Sequence, residues 1–184
     1  MRILFFDTET TDLPDYNSPP GPHQPHVVQL AAVLVDGSAE QSLATLIRPD
    51  GWTIHKGAYQ VHGISMDRAR AEGVPLADAI AAFQELLCRA DLAVAHNVRF
   101  DRLLIDSEYL RLGRRADWPR TFCTMVASTD VVRIPGLRGR YKWPTLEEAH
   151  RHFLGRPHTC AHEALADVRA CRSIFEELAR RGLA

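Results

Sequence analysis

The chain has 184 residues, 46% of them hydrophobic and 24% charged, with a formal net charge of −1. That length and balance fit a single domain over residues 1–184, large enough to bury a core without disulfide staples. The near-neutral charge argues against a protein that grips long duplex by neutralising many phosphates, and no apolar run approaches the roughly 20 residues needed to span a bilayer.

Residues 2–7, Arg-Ile-Leu-Phe-Phe-Asp, predict a short strand buried on both faces. Asp7 interrupts this apolar start before it reaches the length of a secretory segment, which places the protein in the cytoplasm. Residues 14–25 hold five of the eleven prolines, with Asn17 and Gly21, and predict a loop. A second strand over 26–35 turns at Asp36-Gly37 into a third over 41–48, giving a hairpin. Leu76, Ile80, Phe83 and Leu87 recur at helical spacing. Leu92 to Ala95 predict a fourth, buried strand. A helix over 100–112 ends at Gly113, and 121–125 predict a fifth strand. Thr145 and Glu148 form a capping box behind Pro144 and open a helix that runs to about Phe153. A last helix carries Ala164, Leu165, Val168, Cys171, Ile174, Phe175 and Leu178 on one stripe. The order β-β-β-α-β-α-β-α-α predicts an α/β fold. The first three strands should be antiparallel, and the later two, arriving after helices, should pair in parallel.

The four cysteines show no CxxC pairing, so reduced thiols are expected rather than zinc or a disulfide framework. Arginine outnumbers lysine 20 to 2. It clusters at Arg99, Arg102, Arg111, Arg114, Arg115 and Arg120, and again at Arg133, Arg138 and Arg140 with Lys142. Arginine forks suit phosphate, so both clusters are candidate substrate tracks, and a solvated surface explains them as well.

Asp7 and Glu9 end the first strand and point to the same side. Adjacent carboxylates repel and raise one another's pKa unless a cation lies between them, and hard oxygen ligands suit Mg²⁺ or Mn²⁺. Asp101 lies in the first turn of the helix after strand four, where an acid also complements the helix dipole. A crossover that sets strand four beside strand one would turn Asp101 toward Asp7 and Glu9, at the carboxyl ends of the strands. At the start of the last helix, Asp167 should line that cavity and His162 should reach toward it from the helix mouth. Taken singly, each of these residues is equally at home on a solvated surface.

The whole pattern is more specific than its parts. Asp7-Thr8-Glu9-Thr10-Thr11, Val61-His62-Gly63-Ile64, His96-Asn97-x-x-Phe100-Asp101 and His162-x-Ala164-Leu165-x-Asp167 closely resemble the DnaQ-like DEDDh exonucleases, from about residue 2 to 178. The resemblance implies an RNase H-like fold, a mixed five-stranded sheet flanked by helices. It implies a 3′–5′ exonuclease that releases nucleoside 5′-monophosphates, with two divalent ions, Mg²⁺ or Mn²⁺, in the active site. Asp7 would bridge both ions. Glu9 and Asp167 would hold the ion that carries the attacking water, Asp101 would support the second, partly through water, and His162 would be the general base. Thr10, Thr11 and Leu13 would lie under the terminal nucleotide, with His62 and Gly63 near the same end. Asn97 and Phe100 complete the candidate substrate residues, and for all seven plain structural support is the alternative.

Two departures stand out. Asp12 occupies a position where the family usually has glycine, and a residue tolerant of positive φ is expected there. The Pro-rich loop is longer than the family's and should lie near the nucleotide pocket. The expected partners are nucleic-acid 3′ ends, single-stranded or frayed, on DNA. The alternative is an RNA-trimming or short-oligonucleotide exonuclease. A non-catalytic module that binds a polymerase or a nucleic-acid end should lack one of the five catalytic residues, and all five are present. The sequence ends at Ala184, soon after the last helix, so polymerase association would need a surface other than a C-terminal tail. No membrane partner is expected.

Overall fold

The computed structural model describes residues 1–158 and 163–184. The first three strands form a meander: β1 (Arg2–Thr10), β2 (Val27–Asp36) and β3 (Ala39–Leu46) pair antiparallel in turn, β1 and β2 joined through the Pro-rich loop. The β2–β3 turn passes through Gly37, whose φ of 59° suits a residue without a Cβ. Three helices follow, α1 (Lys56–His62), α2 (Met66–Glu72) and α3 (Leu76–Leu87), and carry the chain across the sheet. β4 (Leu92–Ala95) then pairs parallel to β1, and after α4 (Val98–Arg111), β5 (Arg120–Cys123) pairs parallel to β4. The five strands lie in the order β3-β2-β1-β4-β5. This is the expected mixed RNase H-like sheet. α5 (Thr124–Val132), α6 (Leu146–Leu154) and α7 (Ala164–Arg180) complete the fold. No helix among the described residues is long and apolar enough to cross a membrane.

Side-chain alternation along β1 decides what each face covers. Leu4 and Phe6 enter a core with Ile80 and Phe83 of α3 and Leu104 and Tyr109 of α4. Phe5 points the other way, into a second core with Val168, Cys171 and Phe175 of α7, and its ring meets Phe175 edge-on at 5.5 Å. Asp7 and Glu9 continue the Phe5 side, so the strand delivers both acids toward α7.

Three helices are absent from the expected order: α1, α2 and α5. The first two have seven residues each, too short for a hydrophobic period to show. Their ends are nevertheless marked, by Gly63 at φ 69° after α1 and by the Ser65 hydroxyl capping the Arg68 N–H of α2. α5 reads Thr-Met-Val-Ala-Ser-Thr-Asp-Val-Val, rich in β-branched residues that favour strands in isolation. The fifth strand accordingly ends at Cys123 rather than 125.

The Pro-rich loop is tied down. Arg111 donates to the carbonyls of Pro22 and Gln24, and its guanidinium pairs with Glu108, 1% exposed, at 3.0 Å. Gly21 N–H donates to Ser107 Oγ at 3.1 Å, and the Gln24 side chain bonds both the N–H and the carbonyl of Asp15. Asp12 does not adopt the positive φ expected of a glycine substitute, which only Asn97, Arg133 and Arg138 do among non-glycine residues described. The Thr10 hydroxyl closes this turn on the Asp12 carbonyl at 2.9 Å, and the Asp12 carboxylate takes the Leu13 N–H at 2.8 Å. Those two bonds remove the need for a left-handed residue.

Candidate active site

Parallel pairing places the carboxyl ends of β1 and β4 side by side, and the acids collect there. Asp7 and Glu9 come from β1 and Asp167 from the first turn of α7. One carboxylate oxygen from each lies within 4.8 Å of the others. Asp101 approaches from α4 on the opposite face. Its Oδ1 accepts both the Thr8 N–H at 3.0 Å and the Thr8 hydroxyl at 2.8 Å, which locks it against the strand end. The Coulomb field of Asp101 is the strongest charge effect on Asp7, so the four acids form one electrostatic unit.

The acids crowd one another in a desolvated setting. Desolvation, then Asp101, Glu9 and Asp167 in turn, hold the Asp7 carboxyl well above the ordinary carboxylate range. Burial followed by Asp167 and Asp101 pushes Glu9 up to about 8. Burial raises Asp101 to about 7 even though the Thr8 bonds pull it back. Converging, desolvated hard oxygens that resist ionising together fit a divalent cation.

A cavity of about 440 Å³ opens over this floor. Of the residues expected at the substrate, Thr10, Leu13, His62 and Phe100 line it. Thr11 does not; its hydroxyl accepts the His26 N–H at 2.9 Å and its carbonyl accepts the His55 N–H at 3.0 Å. Gly63 ends α1 in a left-handed conformation, and Asn97, at φ 78° and ψ 51°, makes the bend into α4. Neither lines the cavity. His62 Nδ1 accepts the Ile64 N–H at 2.9 Å, so Nε2 carries the proton of the neutral ring. Leu13, 79% exposed, and Val61, 54% exposed, form apolar jaws at the mouth. His162 lies outside the described residues.

Gly57 and Ala58 of α1 also line the cavity, and nothing in the sequence pointed to them because α1 itself was missed. His158 was missed as well. Its Nε2 stands 2.5 Å from Asp167 Oδ1 on a nearly buried side chain. Its only sequence signal is a spacing of nine residues from Asp167, which no regular element explains.

The titration of the cluster has a direct consequence for stability. Unfolded, the carboxyls titrate at their ordinary values of 3.8 and 4.5; folded and metal-free, they keep protons to about 7 and 8. Between those limits the native state binds more protons than the unfolded chain, so stability is lost as pH rises. The melting temperature of metal-free protein should fall between about pH 5 and pH 8, by roughly 2–4 °C for each kcal/mol lost. Adding Mg²⁺ at the alkaline end should restore most of it. A melting temperature that rises across this window would contradict the cluster as drawn.

Known proteins share this chain's family and fold. Residues 4–175 match the exonuclease family RNase_T. The chain belongs to this exonuclease family. Its DnaQ-like motifs and its sheet are those of a DEDDh exonuclease domain. An uncharacterised exonuclease, CP81, of Escherichia phage 186 is 28% identical over 187 residues, covering 98% of this chain and 90% of the phage protein. Among solved structures, Escherichia coli exonuclease I in complex with a dA16 oligonucleotide matches with a TM-score of 0.80 at 22% identity, over 98% of this chain. The zinc-bound form of the E. coli exonuclease I–single-stranded DNA complex matches with a TM-score of 0.76 at 21% identity, again over 98% of this chain. This chain spans 41% and 40% of the length of those two chains.

Proposed function

We propose that this protein is a 3′–5′ exonuclease that shortens single-stranded or frayed DNA 3′ ends by one nucleoside 5′-monophosphate at a time. The observation that carries this reading is the convergence of Asp7, Glu9 and Asp167 within 4.8 Å, with Asp101 behind them, on the floor of a cavity. The complexes of E. coli exonuclease I with dA16 and with single-stranded DNA support DNA as the substrate. Asp7, Glu9 and Asp167, with Asp101, would hold Mg²⁺ or Mn²⁺, two ions per site. Such ions supply charge neutralisation and an acidified water for in-line attack on phosphorus.

The chain's own residues supply the rest. Thr8 fixes Asp101, so the floor is set before substrate arrives. Leu13 and Val61 offer apolar surface to a terminal base, and Phe100 and His62 close the cavity behind it. The family motif gives His162 the role of removing a proton from the attacking water. The setting is the cytoplasm, where thiols such as buried Cys171 stay reduced.

The test is degradation of 5′-labelled single-stranded DNA, mismatched-end duplex and matched RNA, with Mg²⁺, Mn²⁺, Ca²⁺ or chelator, beside a circular single strand. A ladder shortening by single nucleotides with Mg²⁺ or Mn²⁺ is expected, with little activity in Ca²⁺, whose looser coordination misplaces reacting oxygens. The circle should stay intact. A cut circle, or full activity in chelator, would overturn the reading.

A further inference from the structure

We propose that a hairpin finger at residues 134–142, continued by Trp143, is a second nucleic-acid contact that holds the single strand upstream of the terminus bound in the acidic cavity. This rests on the exonuclease reading for what occupies the surface.

The finger has a defined backbone. Lys142 N–H donates to the Ile134 carbonyl at 3.0 Å and Gly136 N–H to the Arg140 carbonyl at 2.9 Å. Arg138 (φ 56°, ψ 34°) and Gly139 (φ 73°) are both left-handed, the geometry of a two-residue hairpin turn that usually takes Asn-Gly. A Cβ on Gly136 would stand 2.7 Å from the Arg140 carbonyl oxygen, so glycine is what lets the limbs meet.

Its side chains face solvent. Arg138, Arg140, Tyr141, Lys142 and Trp143 are all exposed, Trp143 by 64%. Arg138 and Arg140 make no ion pair among the described residues, and Lys142 pairs with Glu148 at 2.7 Å. Half of the earlier arginine cluster is engaged within the fold, while Arg114, Arg115 and Arg120 are exposed and make no ion pair among the described residues. Arg111 is spent on Glu108 and the Pro-rich loop, Arg102 lies over Trp118 near Asp106, and Arg99 lies over the Tyr16 ring. What sets the finger apart is that its unspent cations, Arg138 and Arg140, stand beside two exposed rings, Tyr141 and Trp143. Cations track a backbone and rings stack bases, the combination that single strands need.

The root of the finger lies at the same end of the sheet as the acids. Pro144, just past it, accepts a hydrogen bond from His96 Nε2 at 3.0 Å. His96 follows β4 directly, and its Nδ1 lies 3.0 Å from the hydroxyl of Thr124, which follows β5. Thr124 in turn reaches Cys171 Sγ at 3.5 Å, one helical turn from Asp167. β1, β4 and β5 are parallel and end on the same side, so finger and acids share one edge of the sheet.

The test is fluorescence anisotropy in chelator, where no cleavage is required, with single strands of about 15 and about 3 nucleotides as DNA and as RNA. The variants are Arg138→Ser/Arg140→Ser and Trp143→Ala, with Arg151→Ser as a charge-removal control. Each finger variant should weaken binding of the long strand about ten-fold and of the short one less than about two-fold, and the double variant should flatten the salt dependence. The control should change neither. Equal losses on both lengths, unchanged long-strand binding, or no binding by the wild type would overturn the proposal. So would an acidic peptide that binds the finger as tightly as the long strand. If cleavage fails while the length-dependent loss appears, the exonuclease reading falls and the finger stands.

Discussion

Replacing Asp7 by Asn should abolish nucleotide release while leaving the metal-free fold equally or more stable. Asp7 sits where three other carboxylates crowd it, and its own carboxyl is held well above its ordinary range by desolvation and by Asp101, Glu9 and Asp167. An amide of nearly the same shape removes that repulsion, and the buried core beneath it, Phe5 against Phe175, is untouched. The same change removes the charge that Asp7 would supply as a metal ligand. Loss of several kcal/mol of charge stabilisation corresponds to at least about 10³-fold in rate. Calorimetry and single-turnover cleavage on one preparation check both halves. The variant should also lose part of the stabilisation by Mg²⁺ that the wild type shows at about pH 8. Near-wild-type cleavage would end the reading of Asp7 as a metal ligand, and a lower melting temperature in chelator would show that its repulsion has been misjudged.

What could be read from the sequence follows physical range. β1, β4 and α7 are continuous apolar runs or stripes whose period is local, so they were visible, and the acids at their ends came with them. Antiparallel pairing of β2 with β3 followed from their tight turn, and parallel pairing of β4 with β1 from the helical crossover. The α1 helix was not legible because seven residues give no period, and with it went Gly57 and Ala58 at the cavity wall. α5 was obscured by its β-branched composition. The bond between Asp101 and Thr8 joins residues 93 apart and has no local signature. Nor did the two arginine clusters differ on paper. In one, Arg111, Arg102 and Arg99 are engaged by Glu108, Asp106 and Tyr16; in the other, Arg138 and Arg140 make no ion pair among the described residues and stand on a hairpin whose turn only the backbone angles reveal.

Two histidines contend for the protonic role, and they should separate by kinetics. His162 carries the family motif. His158 stands 2.5 Å from Asp167 Oδ1, with both side chains nearly buried. A histidine bonded to a ligating carboxylate orients that ligand, and losing such a partner typically lowers metal affinity about 10–100-fold. His158→Ala should therefore raise the Mg²⁺ concentration needed for half-maximal rate by roughly that factor, and saturating metal should recover most of kcat. A general base behaves otherwise. His162→Ala should lower kcat by about 10²–10⁴ at every metal concentration, and the rise of rate with pH through an ordinary histidine value near about 6.5 should disappear. If His162 only contacted a phosphate, the loss would appear as a raised KM with the pH profile kept. The measurement is a grid of steady-state rates against Mg²⁺ and pH for both variants and the wild type. A kcat defect in His158→Ala that saturating metal leaves in place, beside a near-normal His162→Ala, would transfer the base to His158 and leave the four carboxylates in their roles.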